Sequence, residues 1–333
     1  MEVDLHITNR CNLYCKHCVY DSGSLSMTDM SLATVKTLVN GFKRMGVDEV
    51  HLTGGEPLLN KDFFNITSYL NAHNFKVRMQ TNGFLIDESI AKKVKDSGIE
   101  YVLISVDGLK DFHNSFRNNK YSFDKAIEAI KFFKSVGVFT RVNTVVSKGN
   151  INNIEKIIEI INSLDINQHS FFYLTPNGRG RNLINDVLSL EEWRNVKDII
   201  ENTAKRINCM DKIRIQDVFR EKNDCNSDEE WDTCRNDNCL ILANGNVYHC
   251  VLFANTEYFL GNIYKQDIFN IWNEYPNIIS KIKTDNNSFC KRYFDNKSIG
   301  CLGLVNQLSN SKDICERCNI NKNLVSNCIR RYI

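Results

Sequence analysis

Two apolar periods alternate over the first two thirds of the chain. Short β-branched and aromatic runs at 3–8, 49–52, 76–80, 101–105, 139–145 and 168–173 read as strands. Between them, apolar residues recur every three or four positions at 31–45, 62–72, 87–97, 122–136, 153–164 and 190–208, which predicts amphipathic helices. Strict strand-helix alternation requires a parallel sheet, because each crossover helix returns the chain in the same direction. Six such units predict an α/β fold of the open, partial (β/α)6 TIM-like barrel kind, with its chemistry in the loops that follow the strands.

The pattern changes after residue 210. Helical periodicity fades, and Leu240-Ile241-Leu242-Ala243-Asn244-Gly245-Asn246-Val247-Tyr248 reads as a β-hairpin whose Asn-Gly pair favours a type I′ turn. The expected division is 1–210 for the barrel and 211–333 for a smaller cysteine-rich domain, the boundary falling between about 210 and 230. There is no internal repeat and no low-complexity tract.

Charge and hydropathy narrow the partners. The chain has 42 basic and 40 acidic side chains, a formal net charge of +2, and no long run of one sign, so nucleic acid and acidic membranes are not expected partners. No signal-peptide pattern opens the sequence and no stretch of about 18 apolar residues occurs, so a soluble cytoplasmic protein is expected.

The 13 cysteines change the picture most. Three lie within the first 18 residues, none in the next 190, and ten between Cys209 and Cys328. Without an export signal, metal binding explains them better than disulfides, and the clustering implies separate sites. Cys11, Cys15 and Cys18 form a C-x3-C-x2-C run directly after the first strand. Three thiolates so grouped leave one iron of a four-iron cluster open to another ligand. A helix face of small buried thiols gives the same spacing, and a zinc site completed by His17 or His6 is a further alternative.

This run, followed by Gly54-Gly55-Glu56-Pro57 after strand two, Gln80-Thr81-Asn82-Gly83 after strand three and Ser105-Val106-Asp107-Gly108 at strand four, resembles the radical S-adenosylmethionine (SAM) family. The resemblance implies a [4Fe–4S] cluster on Cys11, Cys15 and Cys18 whose open iron chelates SAM. It places His17 against the adenine and Gly54, Gly55, Glu56 and Pro57 around the methionine part. Ser105, Asp107 and Asn143 become candidate polar contacts to SAM, with strand-end capping as the alternative. Arg179 is a candidate for a carboxylate of SAM or substrate, or a solvated loop arginine.

The last third resembles the SPASM extension of that family, through Gly245-x4-Cys250, Leu260-Gly261-Asn262-Ile263 and Ile271-Trp272-Asn273. By position, Cys234, Cys239, Cys250 and Cys328 would ligate a first auxiliary [4Fe–4S] cluster. A second departs from the family's C-x2-C-x5-C-x3-C pattern, since Leu324 takes its third position and no cysteine follows Cys328. Cys315 and Cys318 would then need Cys290 and Cys301 as replacements. One or two auxiliary clusters are therefore expected, with structural zinc as the alternative. Cys209 and Cys225 remain as candidate hydrogen-atom donors or ordinary buried thiols.

The resemblance implies reductive cleavage of SAM to a 5′-deoxyadenosyl radical that takes a hydrogen atom from a substrate. An external one-electron donor such as flavodoxin or ferredoxin is expected. The favoured substrate is a ribosomally made peptide or protein, altered by cross-linking, epimerisation or oxidation. Alternatives are a cofactor-biosynthesis enzyme, an anaerobic sulfatase maturase, or a non-catalytic electron carrier or zinc-stabilised interaction protein.

Overall fold

A computed structural model describes residues 1–23, 28–216, 219–221, 238–278 and 298–300. Its parallel strands are β1 (Glu2–His6), β2 (Glu49–Thr53), β3 (Lys76–Thr81), β4 (Tyr101–Ser105), β5 (Phe139–Val146), β6 (Gln168–Tyr173) and β7 (Ile213–Ile215). The helices between and after them are α1 (Leu32–Met45), α2 (Phe63–Ala72), α3 (Glu88–Asp96), α4 (Lys110–Phe116), α5 (Ser122–Ser135), α6 (Ile154–Ser163) and α7 (Leu190–Arg206). The remaining elements are β8 (Phe219–Glu221), β9 (Asn238–Ile241), β10 (Asn246–Tyr248), β11 (Gly261–Asn262), α8 (Ile268–Trp272) and β12 (Ser298–Gly300). The main sheet has ten strands in the order β11-β10-β9-β1-β2-β3-β4-β5-β6-β7, and β8 pairs with β12 separately.

Alternation along each strand separates two environments. On β1, Val3 and Leu5 are fully buried in the apolar core beneath the helices, so Asp4 and His6 turn to the sheet's other face. α6 seats Ile154, Ile157, Ile158 and Ile161 on the core at helical spacing. Ser31 caps α1 by accepting from the Thr34 amide, and Ser189 with Glu192 forms a capping box on α7. At the N-terminal end of the barrel, Arg78 pairs with Glu2 and Glu49, and His51 Nδ1 lies 2.8 Å from Asp4.

Two features were not legible in the apolar pattern. β9 adds in parallel to the free edge of β1, with Val3 opposite Cys239, so chain beyond residue 237 continues the barrel sheet. α8 packs on α1 where Gly41 has no room for a Cβ beside Ile268. The predicted hairpin is present, with Val247 opposite Ile241, but its turn differs. Gly245 alone has positive φ (87°), the Gly245 amide donates to the Leu242 carbonyl and the Leu242 amide to the Asn246 carbonyl. That is a three-residue loop with a glycine bulge, since type I′ would need Asn244 at positive φ as well. No helix among the described residues is long and apolar enough to cross a membrane.

Candidate functional site

The loop after β1 carries Cys11, Cys15 and Cys18, and loops from four other strands hold it. From β2, the Gly55 amide donates to the Thr8 carbonyl and the Glu56 amide to the Arg10 carbonyl, both at 2.8 Å. A Cβ on Gly55 would overlap the Arg10 carbonyl and sit 2.8 Å from Cys11 Cβ. From β3, Asn82 Nδ2 donates to Asn12 Oδ1 at 2.8 Å and lies 3.9 Å from Cys11 Sγ. From β4 and α4, the Phe116 carbonyl accepts from the Lys16 amide, and Arg117 Nη1 reaches Cys15 Sγ at 4.0 Å. Beyond β6, Gly178 packs against the Cys18 carbonyl, which accepts from the Arg179 amide.

Arg179 is neither solvated nor free. Its Nε donates to the Cys15 carbonyl at 2.8 Å, and its Nη1 to Asp21 and the Ser22 carbonyl at 2.7 and 2.8 Å. The guanidinium also lies over the Tyr14 ring, 3.8 Å from its centroid. The side chain therefore clasps the backbone of the cysteine loop.

Glu56 has no exposure; it accepts from Thr81 Oγ1 and the Asn82 amide at 2.9 Å and from the Leu58 amide at 3.5 Å. Burial outweighs these donors and pushes its carboxyl up to about 7. Pro57 opens a short 3-10 turn capped by the same side chain. Asp107 is also fully buried. Burial would raise it, but Arg117 Nε at 2.8 Å, together with His17, His113 and the Val145 amide, outweighs burial and holds it down at about 2. Its other oxygen accepts from the Val145 amide at 3.2 Å.

His17 stacks on Phe116 with 4.1 Å between ring centroids, and its Nε2 stands 3.6 Å from Asp107. Burial pushes it down to about 4, so the ring is neutral near pH 7. His6 meets Ser22 through Nε2 at 3.5 Å and Tyr20 edge-on. Among the described residues no three His, Cys, Asp or Glu side chains gather in a way that could hold a single metal ion.

The residues fit a cluster with SAM. Desolvation pushes the Cys11 and Cys15 thiols up to about 12 and 11, so that both would await a metal to be thiolates. Asn12 Nδ2 and His17 Nδ1 in the cysteine loop, and His6 Nδ1 on β1 and Asn143 Oδ1 on β5, are buried without a hydrogen-bond partner among the described residues. Buried polar atoms of this kind need a ligand or water. Ser105 lies directly opposite Asn143 in the sheet.

Other candidates lie elsewhere. Cys209 follows α7 and precedes β7, at the end of the sheet away from the Cys11–Cys18 loop, and is buried in the apolar core with its thiol raised by desolvation. Cys239 on β9 is fully buried and raised by desolvation, and Cys250 follows β10 by two residues. Cys225, Cys234, Cys290, Cys301, Cys315, Cys318 and Cys328 lie outside the described residues. Sequence reasoning missed Arg117, whose helix α4 is brief; the Phe112 and Phe116 pair, four apart and stacked, is its one apolar signal.

Comparison with known proteins agrees with this geometry. The Radical SAM superfamily profile matches residues 5–178, more than half of the chain, and an iron-sulfur cluster-binding domain, SPASM, matches 225–319. The chain belongs to the radical SAM superfamily and carries a C-terminal SPASM domain; these domains imply [4Fe–4S] clusters and SAM as its cofactors. It is 32% identical over 202 residues to the Fe-coproporphyrin III synthase of Methanosarcina barkeri, covering 60% of this chain and 51% of that protein. It is 28% identical over 276 residues to the mycofactocin maturase MftC of Mycolicibacterium smegmatis, covering 80% of this chain and 68% of that one. The chain thus spans about half to two thirds of the length of these curated relatives. In fold it is similar to Streptococcus suis SuiB bound to its precursor peptide SuiA, with TM-score 0.70, 19% identity, and coverage of 81% of this chain and 64% of that one.

Proposed function

We propose that this chain is a radical SAM enzyme that modifies a ribosomally made peptide or protein by cross-linking, epimerisation or oxidation. The observation that carries it is the extent of likeness. Similarity to the maturase MftC and to peptide-bound SuiB runs over 80% and 81% of the chain, whereas the Fe-coproporphyrin III synthase matches only 60%. A second reading, a tetrapyrrole or cofactor substrate, rests on the 32% identity to that synthase.

Cys11, Cys15 and Cys18 would hold the cluster and leave one iron to SAM. Cluster and SAM supply, when bound, one-electron cleavage of the sulfonium to methionine and a 5′-deoxyadenosyl radical that takes hydrogen from the substrate. Gly54 and Gly55 let the second loop lie against the cysteine loop, where a Cβ on Gly54 would stand 2.6 Å from the Thr8 carbonyl. Neutral His17, Asn12, Asn143 and Ser105 offer polar atoms to SAM. Glu56, satisfied by Thr81 and Asn82, fixes the floor of that site. Cys234, Cys239, Cys250 and Cys328 would hold one auxiliary cluster, and Cys290, Cys301, Cys315 and Cys318 a second. A flavodoxin or ferredoxin would supply the electron.

The test combines reconstituted protein, SAM and dithionite with short peptides encoded beside its gene. A peptide mass change matched by 5′-deoxyadenosine release supports the proposal. Unchanged peptides alongside formation of iron-coproporphyrin III from a tetrapyrrole precursor favour the second reading. Absence of 5′-deoxyadenosine from fully loaded protein defeats both.

A further inference from the structure

Arg117 is an arginine with an unusual environment. It follows α4 at the C-cap, is almost wholly buried, and points its two arms at different partners. Nε donates to Asp107 Oδ2 at 2.8 Å, and Nη1 reaches Cys15 Sγ at 4.0 Å. Among the described residues Cys11 receives neutral donors, the Leu13 amide at 3.5 Å and Asn82 Nδ2 at 3.9 Å. Asp107 is held in turn by the Val145 amide, and its own amide donates to His113 Nδ1 at 3.0 Å.

A buried guanidinium costs several kcal/mol in lost hydration unless its partners restore it. Asp107 neutralises the pair as a whole, but the arrangement is polar in one direction. The cationic end faces the cysteine, with Nη1 on the Cys15 sulfur while Nε holds Asp107 on the other side. A salt bridge serving only to secure α4 would not need an arm on the sulfur.

We propose that Arg117 is a positioning residue for the SAM-binding cluster, which donates to the Cys15 thiolate and raises the cluster's reduction potential. Reduction adds one electron, drawn from the external donor, and so one negative charge to the cluster. A fixed cation beside a ligating sulfur in a low-dielectric site stabilises that reduced form more than the oxidised one. The inference needs the cluster but no particular substrate, so it stands or falls apart from the peptide reading.

The test is a reductive titration followed by electron paramagnetic resonance of the SAM-perturbed cluster signal. Wild type is compared with Arg117→Lys, Arg117→Gln and the double variant Asp107→Asn/Arg117→Gln. The double variant leaves no unpaired buried carboxylate and guards against a folding defect in the single one. Both neutral variants should titrate at more negative potential, by about tenfold in the reduction equilibrium, which is about 59 mV for one electron. Arg117→Lys should stay near wild type. Loaded neutral variants that titrate with wild type would overturn the proposal. Failure of both to take up iron would assign Arg117 to folding alone, and would overturn it too.

Discussion

Thr81 Oγ1 donates to Glu56 Oε1 at 2.9 Å in a place where neither residue meets water. The bond joins the loops after β2 and β3 under the cysteine loop, and its strength depends on the charge of Glu56. Replacing Thr81 by Val removes a donor to a buried carboxylate, a loss of about 2 kcal/mol when that carboxylate is ionised. With Glu56 pushed up to about 7, the ionised form prevails only above that pH. Cluster-free Thr81→Val should therefore lose stability most at pH 8 and much less at pH 5. Equal losses in denaturant titrations at the two values would show that Glu56 is not titrating between them.

Gly55 and Gly46 separate two kinds of glycine. At Gly46, φ is 71° and nothing lies within 4 Å of an added Cβ, so Gly46→Ala meets only backbone strain of about 1–2 kcal/mol. At Gly55 the added carbon would overlap Arg10 and crowd Cys11. Gly55→Ala should lose most of its iron on reconstitution, whereas Gly46→Ala should melt lower yet load normally. Iron and sulfide assays with thermal melts distinguish them.

The barrel was legible because its physics is local. Six β-branched runs and six helical stripes each state their own period, and Ser31 or Ser189 mark helix starts within three residues. The cysteine loop and the Gly54-Gly55 turn were legible as motifs. Arg117, Arg179 and β9 were not, because what defines them is distance across the fold: Arg179 reaches back 164 residues to Cys15, and Cys239 pairs with Val3. The hairpin turn failed for a narrower reason. Asn-Gly is compatible with both a two-residue loop and a bulged three-residue loop, and register against β1 and β11 selects the second.

Acid should destabilise the cluster-free protein below about pH 6.5. Burial holds His6, His113 and His169 near 3 and His17 near 4, so the folded state keeps them neutral while the unfolded chain takes up protons. Their contribution is complete above the unfolded value of 6.5 and is lost as pH falls toward the folded values, at about 1.4 kcal/mol per pH unit for each ring. Glu56 runs the other way, since its folded value is raised from 4.5 and stability falls as pH rises to about 7. His169, bonded to Thr144 Oγ1 at 2.9 Å, is the one to test. Cluster-free His169→Gln should lose about one ring's share of the acid slope, and an unchanged slope would mean that His169 protonates in place.

Iron counting addresses the cysteines beyond residue 250. After anaerobic reconstitution, the triple Cys11→Ala, Cys15→Ala, Cys18→Ala variant should hold about four irons fewer than wild type. A fall from about twelve to about eight makes Cys290 and Cys301 ligands alongside Cys315 and Cys318; about eight to about four leaves one auxiliary cluster. Zinc in place of iron, or no loss in the variant, would contradict the ligand assignment of the first three cysteines.

Arg179 holds the cysteine loop through backbone carbonyls, Asp21 and the Tyr14 ring and not through sulfur. It binds the Cys15 carbonyl through Nε, the Ser22 carbonyl and Asp21 through Nη1, and the Cys18 carbonyl through its own amide. Arg179→Lys keeps the charge and the amide but loses the planar fork that spans these acceptors. Losing one hydrogen bond from a charged donor costs about 1.5–3 kcal/mol, which is roughly a tenfold or greater change in how often the loop opens. Iron release to a chelator should therefore quicken by about that factor in Arg179→Lys, while the reduction potential of the loaded cluster stays put. A potential that moves as far as release does would mean that Arg179 acts on the cluster's charge and not on the loop that carries it.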